Sequence, residues 1–302
     1  MIKNIGYACI NTHLKPRTFN DCRLNSIYKY GINYLRDKII NNLYLVKDIL
    51  LWNIKNDIYM YRVSSRLIPL VTHPDVINDF DWNWKEDDEI LNIMKDISDI
   101  VKSYNIRLSM HPDQFTVLNS PNEKVVQNSI INIKYHYDIL KRLSGNDMII
   151  HTGGVYNDKK SASKRFIHVF NSLEDNLKSM IRLENDDKSF TVEDVLYISS
   201  KTHIPIVLDI HHHKCNNPNN IDIQNYISAI VNTWENTSLI PKLHISSGRD
   251  NKFDRKHSNY IDIQDLNYLL KLMNKYNFDM MVEAKQKDKS VLEIINILKD
   301  IP

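Results

Sequence analysis

The chain has 302 residues, 42% of them hydrophobic, with 39 Lys and Arg against 37 Asp and Glu. That is enough apolar material for one large core, and the balanced charge excludes a protein that binds nucleic acid through overall basicity, so any basic surface is local. Three widely spaced cysteines, Cys9, Cys22 and Cys215, exclude a disulfide framework. The opening MIKNIGYACIN has no apolar signal core, and no apolar run nears the ~20 residues that span a bilayer; the expected location is intracellular, cytoplasmic or nucleoid-associated.

In chain order, a first strand is predicted at about Ile2 to Ala8, followed by a long helical stretch from about Asp21 to Trp52, broken near Gly31 and Asp37. A second strand covers Tyr59 to Val63. Helical periodicity returns from about Asp88 to Tyr104, where Ile90, Ile93, Met94, Ile97, Ile100 and Val101 form one apolar stripe. Strand three is Arg107 to Met110, with a helix from about Glu123 to Leu143 behind it. Strand four is Met148 to His151, and its helix runs from about Ala162 to Lys178. After strand five, Ile181 to Glu184, Thr191 opens a short helix whose positive amino end suits Glu193 and Asp194. Strand six is Ile206 to Asp209, followed by a helix from Asp222 to Trp234. Strand seven is Lys242 to Ile245, followed by a helix from Asp262 to Tyr276. Strand eight is Asp279 to Glu283, closed by a helix from about Ser290. Eight alternating βα units predict a single (β/α)8 TIM barrel, one domain across residues 1–302.

The apolar runs share a feature at their carboxyl ends. IRLSMH ends on His111, DMIIH on His151, MIRLE on Glu184, PKLH on His244 and DMMVE on Glu283, and IPIVLD ends on Asp209 with His212 just beyond. A parallel barrel gathers those ends into one mouth, where barrel enzymes keep their chemistry. A lone His at a strand end is usually structural, and chance supplies two or three such positions. Seven at the same end of their strands point to a polynuclear metal site. Mixed imidazole and carboxylate donors suit Zn, Mn or Fe better than Mg or Ca, and cysteine is too scarce for a thiolate site. Glu184 and Glu283 can each bridge or anchor ions. Of the run His211 to His213, His212 is the preferred ligand. His13, His73, His136, His168 and His203 read as ordinary, and Cys215 as an unpaired thiol. Lys242 precedes His244 by two residues, so both share a strand face. A lysine inside a barrel must be paired or neutralised; carbamylation into a metal ligand and a plain salt bridge are both open.

With these residues in view, HPDQF (His111 to Phe115), HTGG (His151 to Gly154), LEND (Leu183 to Asp186), LDIHHH (Leu208 to His213), PKLHISS (Pro241 to Ser247), His257, VEAK (Val282 to Lys285) and GYACIN (Gly6 to Asn11) resemble the UV damage endonucleases in order across nearly the whole chain. Endonuclease IV-type abasic-site enzymes and xylose isomerase-type sugar isomerases are more distant relatives on the same barrel. The resemblance implies a cluster of three divalent ions, usually Mn2+, with Zn2+ as the alternative. His111, His151 and Glu184 would hold one ion. Glu184 would bridge to a second on Asp209, His244 and Glu283, and His212 and His257 would hold the third. Lys242 would be a modified lysine beside the cluster, and only the resemblance promotes His257. Gln114 and Phe115 would probe the damaged helix, the phenyl ring stacking without a tyrosine's hydroxyl, while Tyr7 and Asn11 would lie near the lesion or the incised strand.

The implied reaction is metal-dependent phosphodiester hydrolysis immediately 5′ of cyclobutane pyrimidine dimers and 6-4 photoproducts in double-stranded DNA, leaving a 3′-hydroxyl and a 5′-phosphate. Glu184, Lys242 and Glu283 are the candidate catalytic groups, and the expected form is a monomer. The run SGRDNKFDRKH supplies Arg249, Lys252, Arg255 and Lys256 beside the site for phosphate contacts. Lys159, Lys160, Lys164 and Arg165 follow HTGG in the same way, with a solvated charged face as the even alternative. Competing readings are an endonuclease IV-type abasic-site enzyme, a metal-dependent sugar isomerase, and a damage-binding protein without catalysis.

Overall fold

The structure, a computed structural model, describes residues 1–16 and 18–299. Its centre is a closed barrel of eight parallel strands in sequence order. These are β1 (Ile2–Ala8), β2 (Met60–Val63), β3 (Arg107–Met110), β4 (Asp147–His151), β5 (Ile181–Glu184), β6 (Ile206–Asp209), β7 (Lys242–Ile245) and β8 (Phe278–Val282). β1 closes the ring on β8, with Gly6 opposite Met281 and Tyr7 opposite Val282.

The helices are α1 (Leu24–Tyr30), α2 (Ile32–Lys55), α3 (Pro74–Asp79), α4 (Asp88–Ser103), α5 (Glu123–Arg142), α6 (Lys159–Ser172), α7 (Asp175–Met180), α8 (Val192–Thr202), α9 (Ile210–Cys215), α10 (Ile227–Asn232), α11 (Ile263–Leu272) and α12 (Asp288–Lys299). They form where an apolar stripe can cover the barrel. α4 buries Ile90, Ile93, Met94, Ile97 and Val101, and the Asp87 carboxylate caps it at Ile90 N. α8 starts on a capping box between Thr191 and Asp194. Among the described residues no helix is long and apolar enough to cross a membrane.

The helices differ from expectation in five places. Asp37 does not break α2; it is exposed on the outer face while Leu35, Ile39, Leu43 and Val46 bury the inner one. The helix expected from Ala162 to Lys178 is two, because Leu173 turns extended and buries its side chain. The one expected from Asp222 to Trp234 is a 3-10 turn, Ile223–Asn225, followed by the short α10. Two helices were unforeseen: α3, which follows β2, and α9, which carries the histidine run directly off β6.

The barrel floor is ionic. Arg107, Asp147, Arg182, Lys242 and Asp279, from the starts of five strands, are all buried. Asp147 lies at the centre, with Arg107 Nε at 2.9 Å, Arg182 Nε at 3.1 Å and Lys242 Nζ at 2.6 Å. Arg107 also reaches Asp279 at 2.7 Å. Both arginines lie 5.3 Å from the Trp234 ring. Three cations thus meet two carboxylates, so the layer carries one excess positive charge whenever Lys242 is protonated.

Candidate metal centre

At the other end of the barrel the strand register brings the carboxylates and imidazoles together. His151 is the register partner of Glu184, and Asp209 that of His244. His111 and Glu283 follow β3 and β8 directly, and Glu283 N donates to Ile245 O. Glu184 sits in the middle. Its Oε2 lies 3.3 Å from His111 Nε2 and 3.6 Å from His151 Nε2, and its Oε1 lies 2.8 Å from His244 Nδ1 and 3.7 Å from His212 Nδ1. His244 Nδ1 is also 3.3 Å from Glu283. Two groups have the compactness of an ion site, His111 with His151 and Glu184, and Glu184 with Asp209 and His244. His257 stands farther out, its Nδ1 3.9 Å from Glu283 Oε2.

The local fold orients these donors. Asp209 is the N-cap of α9; its Oδ1 accepts from His212 N at 2.8 Å, which turns His212 back toward the cluster. His212 Nδ1 lies 2.9 Å from Asn185 O, and His111 Nδ1 2.8 Å from Pro112 O. Such carbonyl partners set an imidazole's tautomer and leave its other nitrogen for an ion.

The electrostatics suit a cation. Burial alone would raise the Glu184 carboxyl, but His244, His151 and His111 hold it well below the ordinary range. Burial also opposes ionisation of Glu283, and Arg62 and His244 override it. His212 is pushed up to about 9 because Asp209 and Glu184 outweigh its burial. Asp209 Oδ2, His151 Nδ1 and His244 Nε2 are buried without a hydrogen-bond partner among the described residues. Such orphans are rare in folded proteins; a cation would satisfy the Asp209 oxygen, whereas the unpartnered nitrogens of His151 and His244 are not the ones that approach Glu184. The donor set therefore fits divalent ions.

Beside the cluster is a cleft of about 840 Å³, lined among others by His111, Gln114, Phe115, His151, Tyr156 and His212. Gln114 and Phe115 top its wall, and Phe115 is 75% exposed. Asp113 fixes that tip, its Oδ1 accepting from Phe115 N at 2.9 Å and its carbonyl from Thr116 N at 3.0 Å. Gly153, at the far wall, has φ +110°, and a Cβ there would come within 2.4 Å of Asn119 Oδ1.

The remaining candidates divide. Arg249, Lys252, Arg255 and Lys256 are all exposed on the loop after β7. Arg255 leans on Asp187 at 3.4 Å, and Arg249 is tied to Asp250 at 2.7 Å. Tyr7 and Asn11 are brought together but are buried; Tyr7 Oη donates to Asn53 at 2.6 Å, and Asn11 Nδ2 to Tyr7 Oη at 2.8 Å. Lys242 Nζ faces Asp147 on the floor, two residues below His244, and burial pulls its pKa down to about 8 against the pull of Asp147. Lys159 pairs with Asp194, and Arg165 Nε donates to Asn119 O.

Two residues of the mouth escaped the sequence reading. Arg62, on β2, hydrogen-bonds Glu283; its signal was a charge inside the strand MYRV. Lys287, in a left-handed turn after β8 (φ +48°), is half-buried beside Cys9, Arg62 and Glu283. No periodicity marks it.

Comparisons with known proteins give the family and the fold. The family model described as UV-endonuclease UvdE matches residues 3–302. A UV DNA damage endonuclease from Clostridium perfringens is 36% identical over 98% of this chain and 71% of its own length. The crystal structure of SacUVDE superposes with a TM-score of 0.86 at 33% identity, covering 99% of this chain and 98% of that one. Endonuclease IV from Thermus thermophilus shares the fold alone, with a TM-score of 0.59 at 10% identity over 85% and 95% of the two chains. The chain belongs to the UV-endonuclease UvdE family and is a DNA repair endonuclease that acts on UV damage.

Proposed function

We propose that the chain nicks double-stranded DNA immediately 5′ of cyclobutane pyrimidine dimers and 6-4 photoproducts, leaving a 3′-hydroxyl and a 5′-phosphate. The supporting observation is the Glu184-centred set of imidazoles and carboxylates beside an 840 Å³ cleft topped by Gln114 and Phe115. His111, His151 and Glu184 would hold one ion; Glu184, Asp209, His244 and Glu283 a second; His212 and His257 a third, with manganese the preferred metal and zinc the alternative. Bound divalent ions supply an acidified water and neutralise phosphate charge.

The chain's own side chains do the rest. Arg62 holds Glu283 ionised and aimed at the cluster. Lys242 supports His244 from the floor, and a carbamate on its amine would add an anion beneath the cluster. Phe115 enters the helix beside the lesion, and Gln114 offers an amide to the bases left unpaired. A photodimer stacks and pairs poorly, so opening the helix there costs less than in intact DNA. Arg249, Lys252, Arg255 and Lys256 meet flanking phosphates. Tyr7 and Asn11 tie the loop after β1 to α2 through Asn53. All proposed ligands come from one chain, so one copy suffices per lesion.

The test is incision of three duplexes by the manganese-loaded protein: one thymine dimer, one abasic site, and no damage. Cutting one bond 5′ of the dimer, with 3′-hydroxyl ends, is the expected result. Cutting of the abasic duplex alone would move the chain to the endonuclease IV type, and cutting elsewhere would refute the proposed position.

A further inference from the structure

Between Arg249 and Lys256, the loop that joins β7 to α11 holds one aromatic residue, Phe253. It is 58% exposed, and the Lys252 ammonium lies 5.0 Å from its ring. Single exposed hydrophobics are common and carry no meaning by themselves. Three observations set this one apart.

The first is rigidity. Gly248 and His257 pair as an antiparallel bridge at the loop's base, and Arg249 N donates to Lys256 O at 2.8 Å. A Cβ on Gly248 would lie 2.0 Å from Asn251 O, so only glycine allows that turn. Asn251 Oδ1 accepts from Phe253 N at 2.9 Å, and the Asp254 carboxylate accepts from Lys256 N at 3.0 Å.

The second is attachment to the metal-binding segment. His211 Nε2 meets Asp254 O at 2.8 Å, and Cys215 Sγ donates to Phe253 O at 3.5 Å. Both partners belong to α9, the helix that carries His212. The backbone of Phe253 is therefore fixed relative to the candidate ligands while its ring is left to solvent.

The third is position. β3 and β7 are four strands apart in a closed ring of eight, so the loops that follow them stand on opposite sides of the mouth. One presents Phe115 and the other Phe253, with the Glu184 cluster between. A rigid exposed ring with a lysine against it, on a loop that carries three further cations, is suited to stacking on a base while gripping the backbone.

We propose that Phe253 is a second stacking residue for the DNA, holding the helix across the mouth from Phe115. This rests on the reading of the chain as a UV-damage endonuclease. Phe115 would take the lesion side, and Phe253 a base on the flank.

The test compares wild type, F253A, F253W and K252A on a duplex with one thymine dimer, with 2-aminopurine placed at successive flanking positions. F253A is expected to raise KM about ten-fold, the loss falling on KM rather than kcat, and to abolish the quenching of one flanking 2-aminopurine. F253W should restore both, because any flat ring stacks. K252A should instead reduce the salt dependence of binding. A wild-type KM and unchanged quenching in F253A, or a tryptophan variant as impaired as the alanine, would overturn the assignment. Wild-type protein that cuts no dimer duplex would instead defeat the underlying reading, so the two failures are distinguishable.

Discussion

Glu184 is the residue on which the site turns. It is buried, surrounded by four imidazoles, and kept ionised by three of them, His244, His151 and His111. Replacing it by glutamine keeps the shape and removes the charge. Glu184→Gln should lower incision by more than about 100-fold, since even the outer partners of metal ligands are worth 10–100-fold. Its circular dichroism should match wild type and its metal content should fall; full metal loading with full activity would refute the bridging role. Phe115 has a different task. Phe115→Ala should weaken binding of a dimer duplex roughly ten-fold, the scale of one lost base–aromatic stack, and Phe115→Tyr should retain it. Equal loss of affinity for undamaged DNA would show that the ring does not read damage.

Elements explain why these residues meet. The eight strands were legible because each is a short apolar run, and six of the seven metal-type side chains close their run within one residue of the observed strand end. His212 and His257 were harder. His212 comes inward because Asp209 caps α9 and starts a helix directly off β6, and no sequence period announces a six-residue helix. His257 depends on a hairpin-like loop closed by the Gly248 bridge, a long-range pairing that only tertiary structure reveals. Tyr7 and Asn11 show the reverse: motif position suggested the lesion, while the fold buries both and ties Tyr7 to Asn53 of α2. Helix ends went astray where tertiary packing outweighed local preference, as at Leu173 and Asp37. The loop after β4 gives an element-level prediction. Gly153→Ala should cost about 1–3 kcal/mol in thermal unfolding, the strain of a left-handed backbone, with incision reduced because that wall of the cleft moves. An unchanged melting temperature would contradict the geometry at Asn119.

The whole barrel is held at its floor by charge rather than apolar contact. Asp147 has three cationic partners, which hold its carboxyl far below its ordinary value of 3.8 despite burial. A folded-state pKa below the unfolded one contributes stability that is present above the unfolded value and lost as pH falls beneath it. Urea stability should therefore begin to decline below about pH 5 and keep falling past about pH 3, and Asp147→Asn should flatten that decline. At neutral pH the same variant leaves the buried Arg182 and Lys242 without a carboxylate partner and should cost about 3–5 kcal/mol. Lys242→Met should cost less, because it removes the excess positive charge; a larger loss would show that the amine does more than neutralise Asp147. Above this floor the account makes one central claim, that the Glu184 cluster cuts DNA through bound metal. The direct measurement is single-turnover incision of a thymine-dimer duplex by protein stripped with chelator and then restored with manganese. The account predicts no cutting when stripped and recovery on adding the metal. Undiminished cutting by the stripped protein would contradict it.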